Sequence, residues 1–231
     1  GSRLYFSKKN GERIDGMVCY TKILLKTEKI TQDTYNYLMH CILDAVHTVS
    51  NTTGVYGAYL KQLSANAKKD IIVKEIDIIN STLTHICYNL DCQELIDKIT
   101  ELDIVYIDPP YNTRQYGSNY HLLETIVKYD DPKIKEIKGK ESVAGLREDT
   151  PVSNWCKKKN VKDELIKILE SKAKFIFMSY SNEGILSEND IITLMKNYGT
   201  VNVFKQEHKK YKSNINNNSK TVYELLFCLE K

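Results

Sequence analysis

Long apolar runs are missing from this sequence. No stretch of the 231 residues approaches the eighteen or so apolar residues that a membrane-spanning helix needs. No signal-peptide pattern opens the chain either. We therefore expect neither a membrane protein nor a secreted one.

Cysteine pairs with metal-ligand spacing are also absent. The six cysteines form no C-x-x-C pair and the histidines do not cluster, so we predict no metal site. Thiols scattered through apolar segments are typical of a cytoplasmic protein.

Charge of one sign does not dominate. The net charge of +3 is too small to establish a nucleic-acid partner, while 42% hydrophobic residues suffice for a buried core. Arginine is scarce, with four residues among the 33 basic ones, so an arginine beside a reactive-looking loop carries more weight.

Hydrophobic periodicity divides the chain into a helical segment with a Gly/Tyr loop, residues 1–80, and an α/β portion, residues 81–231. Helical spacing covers residues 12–49, with a cap near Thr31. Later segments alternate, with strands predicted at 83–88, 104–107, 175–179, 200–206 and 222–229, and helices at 93–100, 120–129, 161–171 and 188–197. An irregular, lysine-rich excursion is expected near 130–160.

This alternation predicts a parallel sheet with helices on its faces. Only a loop separates the last two strands, so we expect them to pair as an antiparallel hairpin at one edge. Lysines and asparagines in that loop, residues 205–220, are interpreted either as phosphate contacts or, more simply, as a solvated tip.

The strongest chemical signal is Asp108-Pro109-Pro110-Tyr111, directly after the apolar run 104–107. Ligands of parallel sheets bind beyond the carboxyl ends of strands, where this spacing places Asp108. A carboxylate and a free carbonyl can accept hydrogen bonds from both N–H groups of a planar group that bears an amine, while a tyrosine ring stacks on the face of that group. Such a grip favours a pyramidal amine nitrogen whose lone pair points toward an electrophile.

A plain turn after a core strand is the alternative for these four residues. The polar, aromatic loop that follows favours a site, since it contains Arg114, the arginine nearest to the strand end.

With its extension through Arg114-Gln115-Tyr116, Asn119-Tyr120-His121 and Leu123-Glu124-Thr125, this block resembles the Dam-like, DPPY-motif family of adenine-N6 DNA methyltransferases, in particular its restriction–modification members. Further agreement is found in three stretches: Tyr5-Phe6-Ser7, Val55-Tyr56-Gly57-Ala58-Tyr59, and Ser179-Tyr180-Ser181-Asn182-Glu183-Gly184.

The resemblance implies a prokaryotic, cytoplasmic enzyme that transfers methyl from S-adenosyl-L-methionine to a flipped adenine in double-stranded DNA. Asp108 and the Pro109 carbonyl, with Pro110, would hold the amine, and Tyr111 would stack on the base. Asp91, Cys92 and Asp108 would contact the cofactor, and Ser179 to Asn182 would line the pocket. DNA contacts are implied for Arg114, Gln115, Tyr116 and Asn119.

Two of these residues have simpler interpretations. Asp91 is equally well placed to be a helix N-cap, and Arg114 to pair with a carboxylate of the same chain.

One expected feature is missing, the glycine-rich loop that holds the cofactor's amino-acid end, because no G-x-G occurs. We therefore expect an incomplete Rossmann-like S-adenosylmethionine-dependent methyltransferase sheet, with a C-terminal antiparallel hairpin and an N-terminal helical segment. Either this stretch is a fragment of a longer chain, or the gene is truncated, or a second polypeptide supplies the missing half. Alternative functions are a non-catalytic DNA-binding remnant and an RNA methyltransferase.

Overall fold

The computed structural model describes residues 3–99, 101–208 and 222–231. These residues divide into two compact units, each built from two stretches of chain. The first contains residues 1–83 and 116–152, and the second contains residues 84–115 and 153–231. The predicted boundary near residue 80 lies close to residue 83, after which the chain first passes from the first unit into the second. The excursion near 130–160 is divided between the units.

The first unit contains three helices and a short hairpin: α1 (Lys8–Lys26), α2 (Gln32–Thr48), α4 (Tyr116–Lys128), β2 (Glu136–Ile137) and β3 (Lys140–Glu141). Its core lies along α1 and α2, where apolar residues at helical spacing such as Ile14, Val18, Ile42 and Val46 are buried. The helical prediction for 12–49 is thus confirmed, as is the cap, because the Thr31 side chain accepts from Thr34 N–H.

The second unit contains a four-stranded sheet and three helices: α3 (Cys92–Lys98), β1 (Ile104–Ile107), α5 (Val161–Leu169), β4 (Phe175–Ser181), α6 (Glu188–Met195), β5 (Thr200–His208) and β6 (Val222–Glu230). A 3-10 turn, Asn154–Cys156, precedes α5. These positions agree with the predicted ones to within a few residues. Thr100, at the predicted end of α3, and the loop 209–221 lie outside the described residues.

The sheet order is β1-β4-β6-β5, and this corrects the prediction of a parallel sheet. Only β1 and β4 pair in parallel, whereas β6 pairs antiparallel with both β4 and β5. The final strand lies between β4 and β5 and runs antiparallel to both. The predicted antiparallel edge hairpin is confirmed. The fold is mixed α/β.

One face of this sheet carries the core of the second unit. Val105, Ile176, Met178, Leu225 and Phe227 alternate along their strands and are buried in one cluster with residues of α5 and α6. The opposite face is mixed, since polar residues such as Ser179 and Asn202 lie among its apolar ones, and it is much less covered. On one edge strand Tyr106 is 63% exposed, with Ile104 and Phe175 exposed near it, and on the other edge strand Phe204 is 61% exposed.

The strand predicted at 83–88 is absent, and this is a second correction. The segment forms no ladder among the described residues, and its apolar side chains are exposed, Leu83 to 73%. A strand requires a hydrogen-bonded neighbour, but β1 is at the edge of the described sheet and pairs only with β4. An apolar run such as 104–107 is expected to be buried, but Ile104 and Tyr106 are exposed.

The predicted irregular excursion contains an anchored hairpin instead. Arg147, only 2% exposed, binds Asp130 through two nitrogens at 2.6 and 2.7 Å and Asp149 at 2.8 and 2.9 Å. Lys138 and Gly139 both have positive φ and form the turn between β2 and β3. The seven lysines of the excursion are exposed.

Candidate active site

The Asp108–Tyr111 segment begins where β1 ends. Ile107 pairs with Met178 of the parallel strand β4, so the residues following these two strands lie at the same edge of the sheet. Asp108 is exposed, Pro109 is buried and Pro110 is half-buried. Within the described residues no hydrogen-bond donor reaches the Pro109 carbonyl. This edge therefore presents a solvent-accessible carboxylate next to an unoccupied carbonyl acceptor.

Tyr111 is held by the loop that follows β4. Its carbonyl accepts from Ile185 N–H at 2.8 Å. Its ring meets that of Tyr180 edge to face, with the centroids 6.4 Å apart and the planes at 84°. The Tyr111 side chain remains 37% exposed. The stretch from Ser179 to Gly184 is thus brought to the Asp108–Tyr111 segment.

Asp91 and Cys92 lie at the start of α3. The Asp91 carboxylate caps this helix by accepting from Gln93 N–H at 2.9 Å, which is its simpler interpretation. The Cys92 thiol accepts from the indole N–H of Trp155 at 3.3 Å, and burial raises the pKa of this thiol. Because 83–88 is not a strand, Asp91 does not occupy the predicted position beyond a strand end.

A pair of polar contacts connects α3 to α5. The side-chain amide of Gln93 donates to the Glu164 carboxylate at 2.8 Å and to the Glu164 carbonyl at 3.2 Å. Glu164 also accepts from the side chain of Asn154 at 3.3 Å. Each oxygen of this buried carboxylate thus has one amide donor, and the bonds from Gln93 keep α3 against α5.

The predicted DNA-contacting residues fall in both units. Arg114 is exposed, and no carboxylate within the described chain lies close enough to its guanidinium for an ion pair. The Gln115 amide is engaged inside the second unit, where it donates to the Ser153 carbonyl at 3.1 Å and accepts from Ser153 N–H at 2.7 Å. Contact of both residues with DNA stays a prediction.

Tyr116 and Asn119 belong to the first turn of α4 and not to a loop, which corrects the predicted helix start at 120. The Asn119 carbonyl accepts from Tyr56 N–H at 2.6 Å. The Tyr116 and Tyr120 rings, one helical turn apart, stack with centroids 6.0 Å apart and planes at 19°. Both tyrosines are exposed.

Sequence reasoning missed the contacts that hold these segments in place. Trp155, which binds Cys92, is the single tryptophan of the chain and occurs at the end of a lysine-rich stretch, a signal that was available. Ile185 and Ser153 act through their main chains, so no side-chain pattern could have identified them.

Among the described residues no helix is both long and apolar enough to cross a membrane. No solved structure matches the chain.

Comparison with known proteins identifies the family. The model of the D12 class of N6 adenine-specific DNA methyltransferases matches residues 2–194. The chain is 39% identical to the type II methyltransferase M.FokI of Planomicrobium okeanokoites over 99% of its length and 35% of that protein. It is 36% identical to M.NlaIII of Neisseria lactamica over 99% of its length and 68% of that protein.

The modification methylase StsI of Streptococcus sanguinis is 34% identical over the full chain and 35% of its own length. The chain therefore spans about a third of M.FokI and StsI and about two-thirds of M.NlaIII. By the match of most of its residues to the family and these identities, the chain belongs to the D12 class of N6 adenine-specific DNA methyltransferases.

Proposed function

We propose that this protein methylates N6 of an adenine within a specific sequence of double-stranded DNA, with S-adenosyl-L-methionine as the donor. The observation that carries the proposal is the arrangement at the end of β1, where the exposed Asp108 carboxylate lies beside the unoccupied Pro109 carbonyl. Membership of an adenine-specific family supports it.

The chemistry needs two acceptors and no strong base. The adenine amine is a poor nucleophile because its lone pair is delocalised into the ring. Asp108 and the Pro109 carbonyl accept hydrogen bonds from its two N–H groups, which favours a pyramidal nitrogen. The carboxylate also stabilises the positive charge that develops on this nitrogen as the N–C bond forms and the methyl's bond to sulfur breaks. The nitrogen then releases one proton to water.

The base must leave the duplex to reach Asp108 and the Pro109 carbonyl, which together form the proposed clamp. Tyr111, partly exposed and next to Pro110, supplies the stacking surface for the flipped adenine. Arg114, Gln115, Tyr116 and Asn119 would contact phosphates or base edges of the DNA.

S-adenosyl-L-methionine supplies an electrophilic methyl group on a sulfonium sulfur. Asp91 and Asp108 fit its hydrogen-bond donors, because both carboxylates are exposed. Cys92 would contact the cofactor only through its main chain or the side of its side chain, since its thiol accepts from Trp155.

We further propose that the exposed apolar side chains on this sheet face, Tyr106 and Phe204 among them, receive a polypeptide segment outside these 231 residues. The exposed, ladder-free run 83–88 and the unpaired edge of β1 support this, because water-facing sheet surfaces are normally polar. Without that segment the chain should bind S-adenosyl-L-methionine weakly or not at all. Micromolar affinity in a calorimetric titration of the chain alone would contradict this.

A cytoplasmic, prokaryotic setting is part of the proposal. The matched M.FokI, M.NlaIII and StsI come from bacteria, whereas M.CviAII, which is 36% identical, comes from a Chlorella virus.

Transfer of a tritiated methyl group to duplex DNA, followed by digestion and identification of N6-methyladenine, tests the function. Duplex DNA and RNA of the same sequence are compared, with extract that supplies any partner segment. Transfer to DNA alone supports the proposal. Labelled RNA would indicate an RNA methyltransferase, and DNA binding without transfer would indicate a non-catalytic DNA-binding protein.

A further inference from the structure

We infer that Tyr180 is a positioning residue for Tyr111: Tyr180 and the loop 182–186 form a seat that sets the orientation of the Tyr111 ring. The role of the Tyr111 ring itself rests on the proposed function. The seat lies entirely within the second unit.

Two contacts from this loop and strand reach Tyr111. The Ile185 N–H donates to the Tyr111 carbonyl at 2.8 Å, which holds the main chain. The Tyr180 ring, 6.4 Å away at 84°, meets the Tyr111 ring edge to face, a favourable geometry for two aromatic rings. One contact holds the backbone and the other holds the side chain, while part of the ring stays accessible.

Tyr180 is itself held tightly. It is 1% exposed, and its hydroxyl oxygen accepts from Leu186 N–H at 3.3 Å. Burial raises the pKa of this hydroxyl, so the phenol stays neutral at ordinary pH. The hydroxyl therefore ties the far end of the loop to the ring that supports Tyr111, a bond that phenylalanine could not make.

Gly184 provides the space for this ring. A Cβ at this position would lie 2.7 Å from Cζ of Tyr180 and would overlap the ring. Gly184 N–H also donates to the Ser181 carbonyl at 2.9 Å, which turns the chain back toward Ile185. The tight turn, the buried ring and the Ile185 bond thus form one connected support.

Such a support matters for a ring that has to stack on an everted base. A surface tyrosine with free rotamers must be ordered each time a base binds, whereas a held ring is already oriented. Weakening the seat should therefore impair the step after DNA binding more than DNA binding itself.

The test compares Tyr180→Leu, which removes the ring, with Tyr180→Phe, which removes only the hydroxyl. Met178→Leu on the same buried face of β4 serves as the control. In steady-state methylation of duplex DNA with the proposed partner segment supplied, Tyr180→Leu should lower kcat about tenfold with KM for DNA nearly unchanged. This factor corresponds to the upper end of what one edge-to-face aromatic pair contributes. Tyr180→Phe should lie between Tyr180→Leu and the wild type.

A second readout does not depend on turnover. Hydrogen exchange of the Ile185 amide should be about tenfold faster in Tyr180→Leu than in the control, because the bond to Tyr111 opens more often. Unchanged exchange in Tyr180→Leu would overturn the inference, and so would an equal loss of kcat in the Met178→Leu control. If the wild type transfers no methyl even with the proposed partner segment supplied, the proposed function fails, and the exchange rate still decides whether the seat exists. If Tyr180→Leu does not fold, Tyr180→Phe is judged by the same two measurements.

Discussion

The two faces of the sheet should respond very differently to the same substitution. Phe227 on β6 is fully buried in the core of the second unit, whereas Phe204 on the neighbouring strand β5 is 61% exposed on the opposite face. The two strands pair directly, with Phe227 opposite Val203 and Phe204 opposite Leu226. Replacing each phenylalanine by alanine thus removes the same atoms from two nearby positions that differ in burial.

For Phe227→Ala we expect a loss of about 3–5 kcal/mol in the free energy of unfolding, the usual cost of deleting a buried phenylalanine and leaving a cavity. For Phe204→Ala the expected loss is under about 1 kcal/mol, because this ring is largely hydrated in the folded chain and only strand preference is at stake.

The single tryptophan makes the measurement specific to this unit. Trp155 is buried in the same cluster as Phe227, so its fluorescence in a urea titration reports unfolding of the second unit. Equal losses in the two variants would refute the assignment of core and uncovered faces. In the presence of the proposed partner segment, Phe204→Ala should weaken association while Phe227→Ala acts through stability.

Two further predictions concern the first unit. The Arg147 guanidinium lowers the pKa of the Asp149 carboxyl to about 2 in the folded state, whereas an aspartate in the unfolded chain has a pKa near 4. The ionised carboxylate therefore stabilises the folded state fully above pH 4, and this stabilisation is lost as the pH falls toward 2. Arg147→Met should flatten the fall in stability between pH 4 and 2, measured by circular dichroism in urea; an unchanged slope would contradict this. Thr31→Ala should lower the free energy of unfolding by about 1 kcal/mol, because it removes the acceptor for Thr34 N–H at the start of α2. The control Thr53→Ala, in an exposed loop, should change it little. Equal effects of the two variants in the same titration would argue against the cap.

Local patterns were sufficient for most elements. The apolar run 104–107 was predicted with the bounds that β1 has, and the cap at Thr31 followed from the residue type and the spacing of the helix behind it. These features depend on neighbours within one or two turns, and such information is present in any short window of sequence.

Features that depend on distant residues were predicted less well. The start of α4 was misplaced because Gly117 and its polar neighbours are typical of a loop. In the structure this glycine allows close packing instead, since a Cβ at this position would lie 2.7 Å from the Pro151 carbonyl oxygen. The insertion of β6 between β4 and β5 depends on pairing across the sheet, which periodicity does not encode. The apolar run at 83–88 has strand character but no strand to pair with in the described chain.

The candidate site shows the same division. The Asp108–Tyr111 motif was recognisable because acid, prolines and ring are consecutive in sequence. Its support by Ile185 and Tyr180 was not recognisable, because seventy residues separate the two parts and one contact is made by the main chain.

The most direct test of the clamp is Asp108→Asn, which keeps the size of the side chain but replaces one acceptor oxygen by an amino group and removes the charge. Methyl transfer to duplex DNA by this variant should fall at least about 100-fold, while DNA affinity in a gel-shift titration stays within about twofold of the wild type. Retention of most of the wild-type turnover would contradict the assignment of Asp108 to the target amine.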